Sequence, residues 1–170
     1  MAIAMLRRTS RQLAIMLSGL LLAAGIQAGE AATTLSLRLE TGTHVAAIRA
    51  ASMDAAGRFV LTASEDKSAR VWDSASGALL SIFRPPSAAG NNGKLFAAAM
   101  APDGLLYATA GWSAGNDLYL VGRSDGQIIH RIAGLPNIVT HLAFSPDGKT
   151  LAVGLWGRHG LRVFFSSDGW

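Results

Sequence analysis

The chain repeats itself, and a chain built of like units must bury the face of each unit against its neighbours. Three segments of the 170-residue sequence align. The first runs Asp54-Ala55-Ala56-Gly57, Phe59-Val60-Leu61, Ala69-Arg70-Val71-Trp72-Asp73 and Gly77. The second runs Ala101-Pro102-Asp103-Gly104, Leu105-Leu106-Tyr107, Leu118-Tyr119-Leu120 and Gly126. The third runs Ser145-Pro146-Asp147-Gly148, Leu151-Ala152-Val153, Leu161-Arg162-Val163-Phe164 and Gly169. Gly57, Gly104 and Gly148 are spaced by 47 and 44 residues, and Trp72, Leu120 and Phe164 by 48 and 44. Within each unit, apolar or alternating runs of four to six residues are separated by turn signals, which is the grammar of strands. The pattern predicts strands at 45–51, 59–63, 68–72 and 78–83, then 95–100, 105–110, 117–121 and 127–132, then 138–144, 150–154 and 160–165. A leading strand at Leu35–Glu40 falls within a 35–43 lead-in. Four short strands per repeat of this length form one blade of a propeller.

Particular motifs sharpen this reading. Phe144-Ser145-Pro146-Asp147-Gly148-Lys149-Thr150-Leu151-Ala152 resembles the first hairpin of a WD40 repeat, Val71-Trp72-Asp73 resembles the motif that names that family, and Gly42-Thr43-His44 stands near its Gly-His position. The resemblance covers nearly all of the chain after its first 28 residues. It implies an all-β fold of three four-stranded WD40-type blades, at 44–83, 94–132 and 138–169, following an N-terminal signal helix. The third blade is expected to be incomplete, and the propeller incomplete or open. The resemblance also implies a structural polar network of His44, Ser64 (or Thr62), Asp66 and Trp72. Units two and three depart from it: neither starts with His, and Leu120 and Phe164 stand in place of the Trp. The chain is similar to secreted bacterial WD40 proteins, some of which join the repeats to a caspase-like peptidase domain.

The first 28 residues read differently. Arg7, Arg8 and Arg11 are followed by an apolar stretch from Leu13 to Ala24 and by small residues around Ala28. A basic start, an apolar run and an A-x-A-like end make a signal peptide over 1–28, which implies a periplasmic or secreted protein. The apolar run is shorter than the roughly 20 residues that span a bilayer, so contact with a membrane is expected only if this segment stays uncleaved. Without these three arginines the net charge falls from +4 to +1, which leaves no basic stripe for nucleic acid. Cysteine is absent, which excludes disulfides and thiolate chemistry.

Some motifs invite chemistry. Gly122-Arg123-Ser124-Asp125-Gly126 satisfies the G-x-S-x-G pattern of serine hydrolases, but a strand follows it where that elbow needs a helix. Asp54, Asp103 and Asp147 each fall in a tight turn, without the closely spaced oxygens of a calcium loop. His130, His141 and His159 are not spaced like zinc ligands. No catalytic residue, metal or cofactor is therefore expected, and the chain reads as a non-catalytic protein–protein interaction scaffold. The alternative is the sensing portion of a longer peptidase-containing protein.

One end of the blades is the expected partner-binding face. The loop after the first unit supplies Arg84, Asn91 and Asn92, and the corresponding loops of the other two supply Trp112 and Asn116, and Trp156, Arg158 and His159. Tryptophan and arginine dominate the energetics of many interfaces. Alanines at 46–47 and 97–99 argue against a polar axial funnel. Propellers usually need about four to eight blades, so three imply either a longer parent chain or self-association to complete the ring.

Overall fold

A turn that only glycine relaxes opens each repeat. Gly57, Gly104 and Gly148 hold φ of 67°, 70° and 70°, in the left-handed region that an L side chain resists. Polar side chains fasten these turns: Asp54 Oδ1 accepts the backbone N–H groups of Arg58 and Phe59 (2.6 and 3.0 Å), and Ser145 Oγ accepts that of Thr150 (3.0 Å). Asp54 thus shares its place with Ser145, while Asp103 and Asp147 sit immediately before their glycines.

The computed structural model describes residues 42–170. The proposed signal helix and the strand at Leu35–Glu40 lie outside the described residues, and Gly42 and Thr43 are bends. Eleven strands follow in three antiparallel sheets. Sheet 1 has the order β1 (Ile48–Met53), β2 (Phe59–Ser64), β3 (Ser68–Asp73), β4 (Leu79–Phe83). Sheet 2 has β5 (Leu95–Met100), β6 (Leu106–Gly111), β7 (Leu118–Gly122), β8 (Ile128–Ile132). Sheet 3 has β9 (Val139–Phe144), β10 (Thr150–Leu155) and β11 (Leu161–Phe165). The arrangement is all-β, consistent with WD40 blades, and is not a closed barrel among the described residues. The strand expected at 45–51 begins only at Ile48, because the backbone before it is drawn aside: Val45 N–H binds Asp66 Oδ2 (3.2 Å) rather than a strand.

The first strands of the three sheets lie side by side, β1 against β5 and β5 against β9. Sheet 2 is therefore covered on both faces, and all five residues of β7 are buried. On one face Tyr107, Tyr119 and Val121 pack with Leu61, Val71 and Phe83 of sheet 1. On the other, Ala108, Leu118 and Leu120 pack with Val139, Leu151 and Val153 of sheet 3. Strand pairing fixes which positions are equivalent, since Val60 faces Trp72, Tyr107 faces Val121 and Leu151 faces Phe164. The equivalent of Trp72 in the second unit is thus Val121. Leu120, aligned with Trp72 on spacing alone, points to the opposite face with Val71, because a slip of one residue reverses the side of a strand.

Leu120 is fully buried in the sheet 2–sheet 3 core. Leu120→Ala is expected to lower the stability of the folded chain by about 2–5 kcal/mol, read as a drop in the urea midpoint at unchanged slope.

Candidate interaction surface

The first strand of every sheet carries a bulge at the same place. Pairing skips Arg49 between Ile48 and Ala50, Phe96 between Leu95 and Ala97, and Thr140 between Val139 and His141. All three stand eight residues before their turn glycine. A bulge releases one residue from the ladder and re-aims its side chain. Eight residues after each glycine stand Glu65, Trp112 and Trp156. Their backbone N–H groups make one repeated hydrogen bond, to the carbonyls of Ala47 (3.0 Å), Lys94 (2.8 Å) and Ile138 (2.8 Å). The repeat thus brings two sets of equivalent residues to the same end of the sheets.

There they form a cavity of about 540 Å³ lined by Arg49, Phe96, Trp112, Ile138, Thr140 and Trp156. Trp112 and Trp156 are 45% and 64% exposed. The Arg49 guanidinium stands 5.7 Å from the centre of the Phe96 ring, and its Nε lies 3.3 Å from Glu65 Oε1. Lys94 Nζ donates to Glu65 Oε2 (3.0 Å). The Lys94 hydrogen bond holds the Glu65 carboxyl below its usual range, against partial burial and with the charges of Lys94 and Arg49 assisting. Glu65 is shared by two cations, which leaves this side of the rim positive.

A second polar group lies on the face of sheet 1 turned away from sheet 2. Thr62 Oγ1 accepts the indole N–H of Trp72 (2.8 Å) and lies 2.7 Å from His44 Nε2. His44 Nδ1 lies 2.8 Å from Asp66 Oδ2, and Asp66 Oδ1 accepts from Ser68 Oγ (2.6 Å) and Ser68 N–H (2.9 Å). The bonds are mutually consistent when His44 donates from Nδ1 to Asp66 and Nε2 accepts from Thr62. Burial alone would raise the Asp66 carboxyl, but hydrogen bonds from Ser68, His44 and Val45 outweigh it and hold Asp66 below the ordinary carboxylate range. Thr62, not Ser64, joins the His and the Trp. Ser64 is buried two residues further along, where its hydroxyl donates to the Ala46 carbonyl (3.2 Å) and accepts Asp66 N–H (3.1 Å).

Of the residues expected on the partner-binding face, Trp112 and Trp156 line the cavity. Asn92 lines a separate depression with Asp117, Tyr119 and Arg131, where Arg131 Nη2 lies 2.9 Å from Asp117 Oδ2. Asn116, in the left-handed region at φ 48°, donates Nδ2–H to the Leu135 carbonyl (3.1 Å) and fixes its loop. Asn91, Arg158 and His159 are exposed, Arg84 is half-buried, and none of the four lines the cavity. Arg49, Phe96, Ile138 and Thr140 were not among the expected residues. Their signal was a fixed distance from the turn glycine, and the alanine-rich first strand concealed Arg49. Ser124 lies in an exposed turn closed by Gly122 N–H to Gln127 O (2.9 Å), matching the Asp73 N–H to Ala78 O bond (2.9 Å) in sheet 1.

Residues 36–73 and 126–169 match the WD40 family model, described as WD domain, G-beta repeat. The chain therefore carries WD40 repeats in two places. The intervening stretch contains the first three strands of the second unit, where Val121 replaces the tryptophan. Compared with curated proteins, the chain has no match.

Two outcomes follow from the network. Thr62→Val keeps the shape but removes the acceptor of Trp72 N–H and the hydroxyl facing His44, and is expected to cost about 1–3 kcal/mol in urea unfolding. The second concerns pH. Asp66 and Asp54 have lowered folded-state pKa values, so their stabilisation is full above the ordinary carboxylate value, about 4, and is lost as pH falls through the lowered ones. The urea midpoint should stay level from neutral pH to about 5 and fall below about 4, with a shallower fall in Asp66→Asn.

Proposed function

We propose that this chain is a protein-interaction scaffold, working outside the cytoplasm, that holds an extended segment of its partner in the cavity between Trp112 and Trp156. WD40 repeats are generally non-catalytic scaffolds that bind other proteins. The observation that supports this site is the repeated placement of Arg49, Phe96 and Thr140 by strand bulges opposite the two exposed tryptophans. Rigid aromatic side chains on short loops lose little conformational freedom on contact, and an apolar ligand residue seated between them is shielded from water. The positive rim at Arg49 and Lys94 favours a carboxylate next to that apolar residue. The basic start and apolar run within residues 1–28 support an extracytoplasmic location.

Selection of a displayed random-peptide library against the purified chain tests this. Enriched peptides should lose at least about tenfold in affinity on Trp112→Ala or Trp156→Ala, with the unfolding midpoint little changed in Trp156→Ala, whose side chain is mostly exposed. Absence of any enriched peptide, or equal binding to the variants, would refute the site.

A further inference from the structure

We infer that the depression beside the loop before β7 is a subsite for a carboxamide, the side-chain group of asparagine and glutamine. It holds about 280 Å³, and its lining includes Asn92, Ser113, Gly115, Asp117 and Arg131. The Asp117 side chain is 5% exposed. Its Oδ2 lies 2.9 Å from Arg131 Nη2 and accepts from the Tyr119 hydroxyl (3.3 Å). Its Oδ1 is buried and has no hydrogen-bond partner among the described residues. A buried acceptor left without a donor is costly, so this oxygen gains most from a ligand that supplies one. Gly115 keeps the approach open, since a Cβ there would stand 2.8 Å from Oδ1.

Charge and hydrogen count select the ligand. Arg131 already neutralises Asp117, and its guanidinium repels a second cation. A carboxylate or phosphate brings a like charge and no hydrogen for Oδ1. A neutral group that both donates and accepts is left. Ser113 Oγ accepts the Asp117 N–H (2.7 Å) and keeps its own hydrogen to donate, and only one of the five N–H groups of Arg131 is needed for Oδ2. A carboxamide meets both demands within one flat group, with an N–H for Oδ1 and a carbonyl for Ser113 or Arg131. A sugar has hydroxyls for the same two roles, but its C–H faces also need cover. Tyr119, the aromatic residue of this lining, is 2% exposed and offers none.

Neighbouring residues of one loop serve the two sites, Trp112 lining the larger cavity and Ser113 this depression. The two linings share no residue, so the carboxamide subsite stands without the tryptophans.

Backbone amide NMR shifts of the chain, titrated with N-acetylglutamine methylamide and with its glutamate counterpart, read this directly. The glutamine compound should give saturable shifts at Gly115, Asp117 and Arg131. The glutamate compound has the same shape but no side-chain N–H at neutral pH, and should bind at least about tenfold more weakly. Gly115→Ala should abolish the shifts by filling the space over Oδ1, and Asp117→Asn should remove the preference for the amide. No saturable shift, equal binding of the two compounds, or equal shifts from glucose or N-acetyllysine methylamide would each overturn the inference. Trp112→Ala and Trp156→Ala should leave the titration unchanged, so this subsite and the proposed function stand or fall separately.

Discussion

The rest of the structure depends on one constraint: a sheet stacked between two others must be apolar on both faces. β7 meets it completely, with Tyr119 and Val121 turned to sheet 1 and Leu118 and Leu120 to sheet 3. Side chains alternate along a strand, so satisfying both neighbours leaves no free face for polar groups. The buried Thr109 hydroxyl finds its partner within the sheet, donating to the Ala97 carbonyl (3.1 Å). The two tryptophans that line the cavity stand just after β6 and β10, where the loops are clear of the stack.

The same constraint explains the unequal polar network. In sheet 2 the position of Trp72 is held by Val121, and in sheet 3 by Phe164, and both pack against the preceding sheet. Apolar side chains there are stabilised by burial alone. Sheet 1 has no described sheet on that face, and its Trp72, Thr62, His44 and Asp66 are tied by bonds of 2.7–2.8 Å. A polar network of this kind helps only when every member is satisfied. Asp66 meets that demand by gathering bonds from Ser68, His44 and Val45 at once.

How much of this was legible in the sequence follows from what each feature needs. The turns were legible because Gly104 and Gly148 follow an Asp and need a conformation other residues avoid. Strand positions followed from apolar runs to within about three residues of the observed ends. The equivalence of Trp72 and Val121 was not legible, since Leu120 and Val121 are both apolar and buried and only the ladder says which face each takes. Nor could the sequence choose between Thr62 and Ser64: both carry hydroxyls, two residues apart on one face, and the choice rests on the reach of the Trp72 and His44 rings.

The cavity was the least legible part, for a reason that bears on how such a surface works. Its position is set by backbone: a bulge in the first strand, and a repeated N–H to carbonyl bond that anchors residues 65, 112 and 156. Its chemistry is set by side chains that differ at every repeat, with Arg49, Phe96 and Thr140 at one place and Glu65, Trp112 and Trp156 at the other. A search for like residues therefore passes over it, whereas a search for like hydrogen bonds finds it. The division has a physical benefit. Because the ladder and the turn glycines hold the frame, the side chains at these positions bear little of the folding energy, and their identity is free to suit a ligand.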